Sequence, residues 1–330
     1  MALVGIVLFV AVIYLAGADQ VDAILDAEPG WILGAFAIGL AVTITSTFRW
    51  GYIANALAEG RPLSWQQYWS SLLTSRVVGL FVPRNASDLG VRFVALTGLG
   101  RTTPEVAAAS VALDQLFDIA LLGVWLVPSL LLLTGVGGQW AWALVPVAVI
   151  LAPAIMVRLG AALEWVAGAL SRGTARLGDR HGKLGAFFQR RSEGFSRLAT
   201  VQHFTSRQSL AIAAVTFIRY GLNAMMFWAI AQALGLPIDL WTFVLVGSAV
   251  QLSLVVAFTP GGLGIMDLGF VGLLALGGVE SETVAAFIVG QRAFQYTFFP
   301  LMAGISYLAT MRSSMSPHET GSLPFPDGEA

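Results

Sequence analysis

Nine ionisable residues sit inside stretches that are otherwise apolar. Arg76, Arg84, Asp88 and Arg92 fall in one such stretch, and Asp114 and Asp118 lie four residues apart in the next. Arg219 and Arg292 lie mid-segment in the second half of the chain, with Asp267 between them. At bilayer depth each charge costs about 2.5–3.5 kcal/mol on insertion scales, so such residues pair with one another or line a polar cavity. Five bases against four acids leave room for an anion. Arg suits phosphate because its planar fork binds two oxygens at once. A purely structural ion-pair network is the competing reading of the same residues.

Two proline breaks accompany the charges. Phe81-Val82-Pro83 interrupts the segment 62–98, and Phe258-Thr259-Pro260 interrupts the segment 238–277. Proline removes an amide donor and clashes with the preceding turn, and Gly261, Gly262 and Gly264 add backbone freedom. A half-helix restarting after each break would point free amides at an anion. Asn85, Ser87 and Asp88 are also good N-cap types, and capping alone would account for them. Asp267 follows its proline at greater distance and is less readily read as a cap.

The elements that must position these residues are membrane spans. Of the 330 residues 57% are hydrophobic and only 11% charged, against roughly 25% charged in soluble domains, and the mean hydropathy is +0.77. The formal net charge is −1, so nothing supports nucleic-acid binding. Cysteine is absent, which excludes disulfides, thiol nucleophiles and thiolate metal sites. There is no Walker A, HExxH or GxSxG element. His181, His203 and His318 all lie in the loop or tail. No cofactor is implied.

Six long apolar segments, at 2–17, 31–57, 104–133, 140–157, 208–235 and 282–311, approach the ~20 residues that cross hydrocarbon. The first ends Ala16-Gly17-Ala18 but lacks a basic leading region, so it reads as a retained span rather than a signal peptide. The two broken segments read as re-entrant helical hairpins. The fold class is therefore an all-α polytopic membrane protein with about six full spans plus two re-entrant hairpins broken at Pro83 and Pro260. Eight simple spans are the alternative. Residues 1–312 form one transmembrane domain, 158–207 an amphipathic cytoplasmic connector, and 313–330 a disordered tail.

The chain is also written twice. Arg49-Trp50-Gly51 is echoed by Arg219-Tyr220-Gly221, and Asp88-Leu89-Gly90 by Asp267-Leu268-Gly269. Val106-Ala107-Ala108 is echoed by Val284-Ala285-Ala286, in a register that sets Asp114 opposite Arg292. Loop 18–30 carries only acids, whereas 158–207 is rich in bases. The positive-inside rule then places the loop outside and the connector in the cytoplasm, with both termini cytoplasmic in a cell (plasma or inner) membrane. Repeat A, 31–133, and repeat B, 208–310, run in opposite senses as inverted repeats, an arrangement suited to alternating access.

With Arg49-Trp50, the Phe81-x-Pro83 break with Arg92, the Asp114 to Asp118 helix and Pro260-Gly261-Gly262-Leu263-Gly264, the chain resembles the membrane region of the lysylphosphatidylglycerol synthase, or flippase-like, family over about residues 5–310. The resemblance implies translocation of a phospholipid or polyprenyl-linked lipid between leaflets, without the soluble synthase domain. The family often has Glu soon after Pro-Gly-Gly-x-Gly, where this chain has Asp267. The expected partner is a membrane lipid with an anionic headgroup. A non-transporting partner of a separate lipid-modifying enzyme and a membrane enzyme acting on lipid phosphate remain as alternatives. On the transporter reading, Arg292 belongs to the headgroup site; as a merely structural residue it would pair with Asp114 or Asp118.

Overall fold

The computed structural model describes residues 26–58, 62–100, 102–178, 205–253 and 259–315. The apolar segment 2–17, most of the acidic loop, Arg61, Arg101, much of the connector and the tail beyond 315 lie outside the described residues. All elements within them are helical. In chain order they are α1 (Pro29–Leu57), α2 (Trp65–Val78), α3 (Arg84–Val94), α4 (Pro104–Thr134), α5 (Gly138–Gly178), α6 (Ser206–Ala233), α7 (Leu240–Ser253), α8 (Ile265–Leu276) and α9 (Ser281–Met315). A π-helical turn, Ala95–Leu99, closes α3.

Local sequence sets these boundaries. Ser64 and Gln67 form a reciprocal capping box that starts α2, and Thr205 and Gln208 do the same for α6. Thr103 caps α4 with Pro104 at its first turn, and Gly135 in the left-handed region ends it. The helix α5 runs without a break through Pro146 and Pro153 and past Arg158 to Gly178, so the expected connector begins as a continuation of the preceding span.

Among the described residues, four helices are long and apolar enough to cross a membrane: α1, α4, α6 and the Gly138–Arg158 part of α5. Side-chain placement follows a lipid solvent rather than water. Leu33, Phe48, Ile150 and Leu268 face outward. On α3 the apolar Leu89 and Val94 are exposed while Ser87, Asp88 and Arg92 are buried, the reverse of a water-soluble helix. These properties make the chain a multi-pass membrane protein.

The order of helix lengths recurs. Helices of 29, 14, 11 and 31 residues (α1 to α4) are followed, after α5, by helices of 28, 14, 12 and 35 (α6 to α9). The packing recurs too. The first helices of the two sets, α1 and α6, form the most extensive helix–helix contact among the described elements. The second helix of each set packs on the fourth helix of the other, α7 on α4 and α2 on α9. The two broken turns meet at the centre, where Pro83 and Pro260 form an isolated antiparallel bridge. There the Gly261 amide donates to the Gly79 carbonyl at 2.9 Å. Gly261, Gly262 and Gly264 all have positive φ, and a Cβ on Gly261 would stand 3.3 Å from the Leu80 carbonyl oxygen. The glycine run is therefore what lets the second turn lie against the first.

Three apolar cores hold the bundle. Phe227, Phe243, Phe270 and Phe287 join α6 to α9, with edge-to-face contacts such as Phe270–Phe287 at 5.1 Å. A second core around Leu113, Phe117 and Met156 joins α1, α4, α5 and α6. Trp50, Tyr68 and Leu96 form the third, between α1, α2 and the π-turn.

Candidate functional site

Between these cores lies a buried charged network built by five helices. Arg49, on α1, is its hub. Its Nε donates to Asp114 at 2.8 Å, and its two terminal nitrogens donate to Asp118 at 2.5 and 3.1 Å. It also donates to Thr216 Oγ1 at 3.0 Å and to the Asp114 carbonyl at 3.1 Å. The i, i+4 spacing of Asp114 and Asp118 on α4 places both carboxylates on one face, which makes this multiple grip possible.

The network extends in two directions. Toward α3, Arg92 donates to Asp114 at 2.7 Å and lies 3.6 Å from Asp88, one turn back on its own helix. Its guanidinium also rests over the Trp50 ring, 5.1 Å from the centroid. Asp88 accepts from Ser75 across the α2–α3 break and is 3.5 Å from Arg76. Toward α6, Arg219 donates to Asp118. Asp88 sits beyond the first turn of α3 and does not cap it; the cap position is Pro83, with no side-chain bond.

Arg292 and Asp267 form a separate unit. Arg292 donates to Asp267 at 2.9 Å through Nε and to the Gly261 carbonyl at 2.8 Å through Nη1. Its partner is thus Asp267, not Asp114 or Asp118. Asp267 also accepts from the Gly264 amide at 3.0 Å, so it does close the first turn of α8, contrary to the reading from its distance to Pro260. The four-residue turn Gly261–Gly264 delays the start of α8 and brings Asp267 into capping register. Pro260, Gly261, Gly262 and Gly264 form the loop that this pair staples. Arg292→Ala should lower thermal stability by about 3 kcal/mol, since it leaves Asp267 without its counter-charge and the half-buried Gly261 carbonyl without its guanidinium donor. Arg292→Lys should recover only part of it, because a point charge cannot hold both acceptors. Thermal melts of the purified variants test this.

Among the cavities that adjoin the network, two share a wall of charged side chains. One, about 70 Å³, is polar and is lined by Arg84, Asn85, Asp88, Arg92, Asp114 and Asp118 among others. The other, about 90 Å³, is largely apolar, with Leu72, Met226, Phe294, Phe298 and Phe299 in its walls. Arg76, Arg84, Arg219 and Gln251 line both. Phe294 in turn separates the second cavity from an apolar groove of about 160 Å³ between α1, α6 and α9. Polarity therefore falls steadily along α1, from Arg49 through Thr43 and Gly39 to Phe36 and Ile32. The span Arg49 to Ile32 is about 25 Å at the helical rise.

Of the nine charged positions singled out in the sequence, seven come together here: Arg76, Arg84, Asp88, Arg92, Asp114, Asp118 and Arg219. Arg292 and Asp267 line neither cavity. Sequence reasoning missed Arg49 as a site residue, although its signal was present. Arg49 is the echo of Arg219, and the two repeat-related arginines grip the same carboxylate, Asp118. Ser75, Thr216 and Gln251 carried no sequence signal.

No curated protein matches this chain. The lysylphosphatidylglycerol synthase TM region matches residues 2–304. A buried arginine–aspartate network beside an apolar cavity, on a polytopic helical frame, accompanies that match, and the chain belongs to the lysylphosphatidylglycerol synthase TM-region family.

Proposed function

We propose that the protein is a lipid flippase that moves an anionic phospholipid or polyprenyl-phosphate-linked lipid between leaflets by alternating access. One observation carries this reading: the charged cavity and the apolar cavity share a wall of Arg76, Arg84, Arg219 and Gln251. An amphiphile with an anionic head and an apolar chain matches that pairing of surfaces. A scaffold that merely docks a lipid-modifying enzyme would favour complete charge pairing, and the Arg84 guanidinium makes no hydrogen bond or ion pair among the described residues.

Alternating access draws support from the repeated helix order, the reciprocal packing of α7 on α4 and α2 on α9, and the Pro83–Pro260 bridge. These are the contacts expected of inverted repeats about an axis in the membrane plane. The re-entrant reading draws support from lengths and contacts. At about 21 and 17 Å, α2 and α3 are each too short to cross ~30 Å of hydrocarbon. They pack on each other, with Ser75 bonded to Asp88 across the turn, as a hairpin would and a collinear broken span would not. With both hairpins re-entrant, the termini lie in the cytoplasm of a cell-membrane protein.

Two experiments test the reading. Lipids that copurify with the protein should cross reconstituted vesicles faster than in protein-free controls. No acceleration for any of them would leave the docking role instead. Single cysteines at Arg61→Cys and Arg101→Cys should both be labelled from the cytoplasmic side, and external labelling of either would sink the first hairpin.

A further inference from the structure

The polar cavity has a marked imbalance of charge and of hydrogen-bonding type. Arg49, Arg76, Arg84, Arg92 and Arg219 surround it or its ion pairs, against Asp88, Asp114 and Asp118. Five guanidinium groups against three carboxylates leave two positive charges unbalanced. The Arg292–Asp267 pair is neutral and does not line the cavity. The unpartnered buried atoms of the cavity-lining side chains are all donors: Arg92 Nε, Arg219 Nε and Gln115 Nε2. Arg219 is itself only 6% exposed, and the Arg84 guanidinium lines both cavities with no hydrogen bond or ion pair among the described residues.

A surplus of donors calls for a ligand made of acceptors, and a surplus of two charges calls for a dianion. A phosphodiester head supplies one negative charge. A phosphomonoester supplies about 1.5 to 2 at neutral pH and three acceptor oxygens, and a diphosphate supplies at least as much. A head bearing an ammonium group would meet like charge on the shared wall.

Resting on the flippase reading, we propose that the ligand of this cavity is a lipid whose head ends in a doubly charged phosphate, a phosphomonoester or diphosphate. The phosphate sits against Arg84 and Arg219 with Gln251 beside them. The chain leaves through the cavity walled by Phe294 and Phe298 toward the groove between α1, α6 and α9. Arg49, Asp114 and Asp118 hold the wall in place, and Arg92 adds its unpartnered Nε–H to the donors that face the head.

The test reads binding alone, so it is independent of whether the protein transports. Detergent-purified protein is titrated by thermal shift with farnesyl monophosphate, dioleoyl phosphatidic acid, dioleoyl phosphatidylglycerol and inorganic phosphate. Both phosphomonoester lipids should bind about tenfold or more tightly than the phosphodiester, the effect of one further charge-assisted contact. Inorganic phosphate should bind far more weakly than either. Arg84→Gln should fold normally, because no carboxylate depends on Arg84, and should remove most of the monoester preference. Equal or tighter binding of phosphatidylglycerol overturns the dianion assignment. Inorganic phosphate binding as tightly as the lipids would make this a soluble-anion site. An unchanged preference in Arg84→Gln would place the head elsewhere. A monoester preference in a protein that moves no lipid would defeat the flippase reading and leave the head assignment standing.

Discussion

Asp114→Ala should yield almost no folded protein. Asp114 is buried and accepts from Arg49 at 2.8 Å and from Arg92 at 2.7 Å. Removing it takes a carboxylate from two buried guanidinium groups at once, leaving Arg49 with Asp118 and Arg92 with Asp88 at 3.6 Å, and loss of one partner from a buried pair costs about 3–5 kcal/mol. That is a large share of the 5–15 kcal/mol that stabilises a typical protein. Asp114→Asn keeps two lone pairs but loses the charge and should be intermediate. Detergent-solubilised yield and melting temperature of the two variants, against Asp118→Asn, check the order. Wild-type stability in Asp114→Ala would mean that Arg49 and Arg92 find other acceptors and that the network is not the frame described above.

Arg219→Ala should do the opposite, preserving the fold and removing function. Asp118 keeps two bonds from Arg49 when Arg219 is lost, so no carboxylate is orphaned. Arg219 lines both cavities, and a charge-assisted hydrogen bond to a ligand is worth about 1.5–3 kcal/mol. Translocation per folded molecule should therefore fall about ten- to hundredfold, with the melting temperature little changed. A variant that melts early yet moves lipid at the wild-type rate would reassign Arg219 to the scaffold.

The spans were legible because hydropathy and capping act locally. Segments expected at 31–57, 104–133 and 208–235 appear as Pro29–Leu57, Pro104–Thr134 and Ser206–Ala233. Thr103-Pro104 and the Thr205 to Gln208 box mark two of these starts. The charged positions were legible as a set, since each is costly in lipid. Their pairing was not. Which arginine meets which aspartate depends on how five helices cross, and no periodicity records it. Arg49 stands in plain view as the echo of Arg219 and within the Arg49-Trp50 element of the family resemblance, yet neither signal marks it as a member of the charged set. The repeat register sets Arg292 opposite Asp114. The two breaks, however, differ in length: α3 starts directly after Pro83, whereas α8 starts four residues later than Pro260 would allow. That extra turn folds Asp267 back onto its own loop and gives Arg292 a nearby partner.

The bridge between Pro83 and Pro260 has a mechanical consequence. If the two halves exchange shapes, a contact between α2 and α9 must become one resembling that between α7 and α4, and the reverse. Off-centre contacts are thus remade in every cycle. A contact between equivalent residues maps onto itself under that exchange, so the Pro83–Pro260 touch can persist while everything around it rearranges. It would then serve as a fulcrum: the point at which the halves stay joined, about which they rock, and past which the head group must travel to one side.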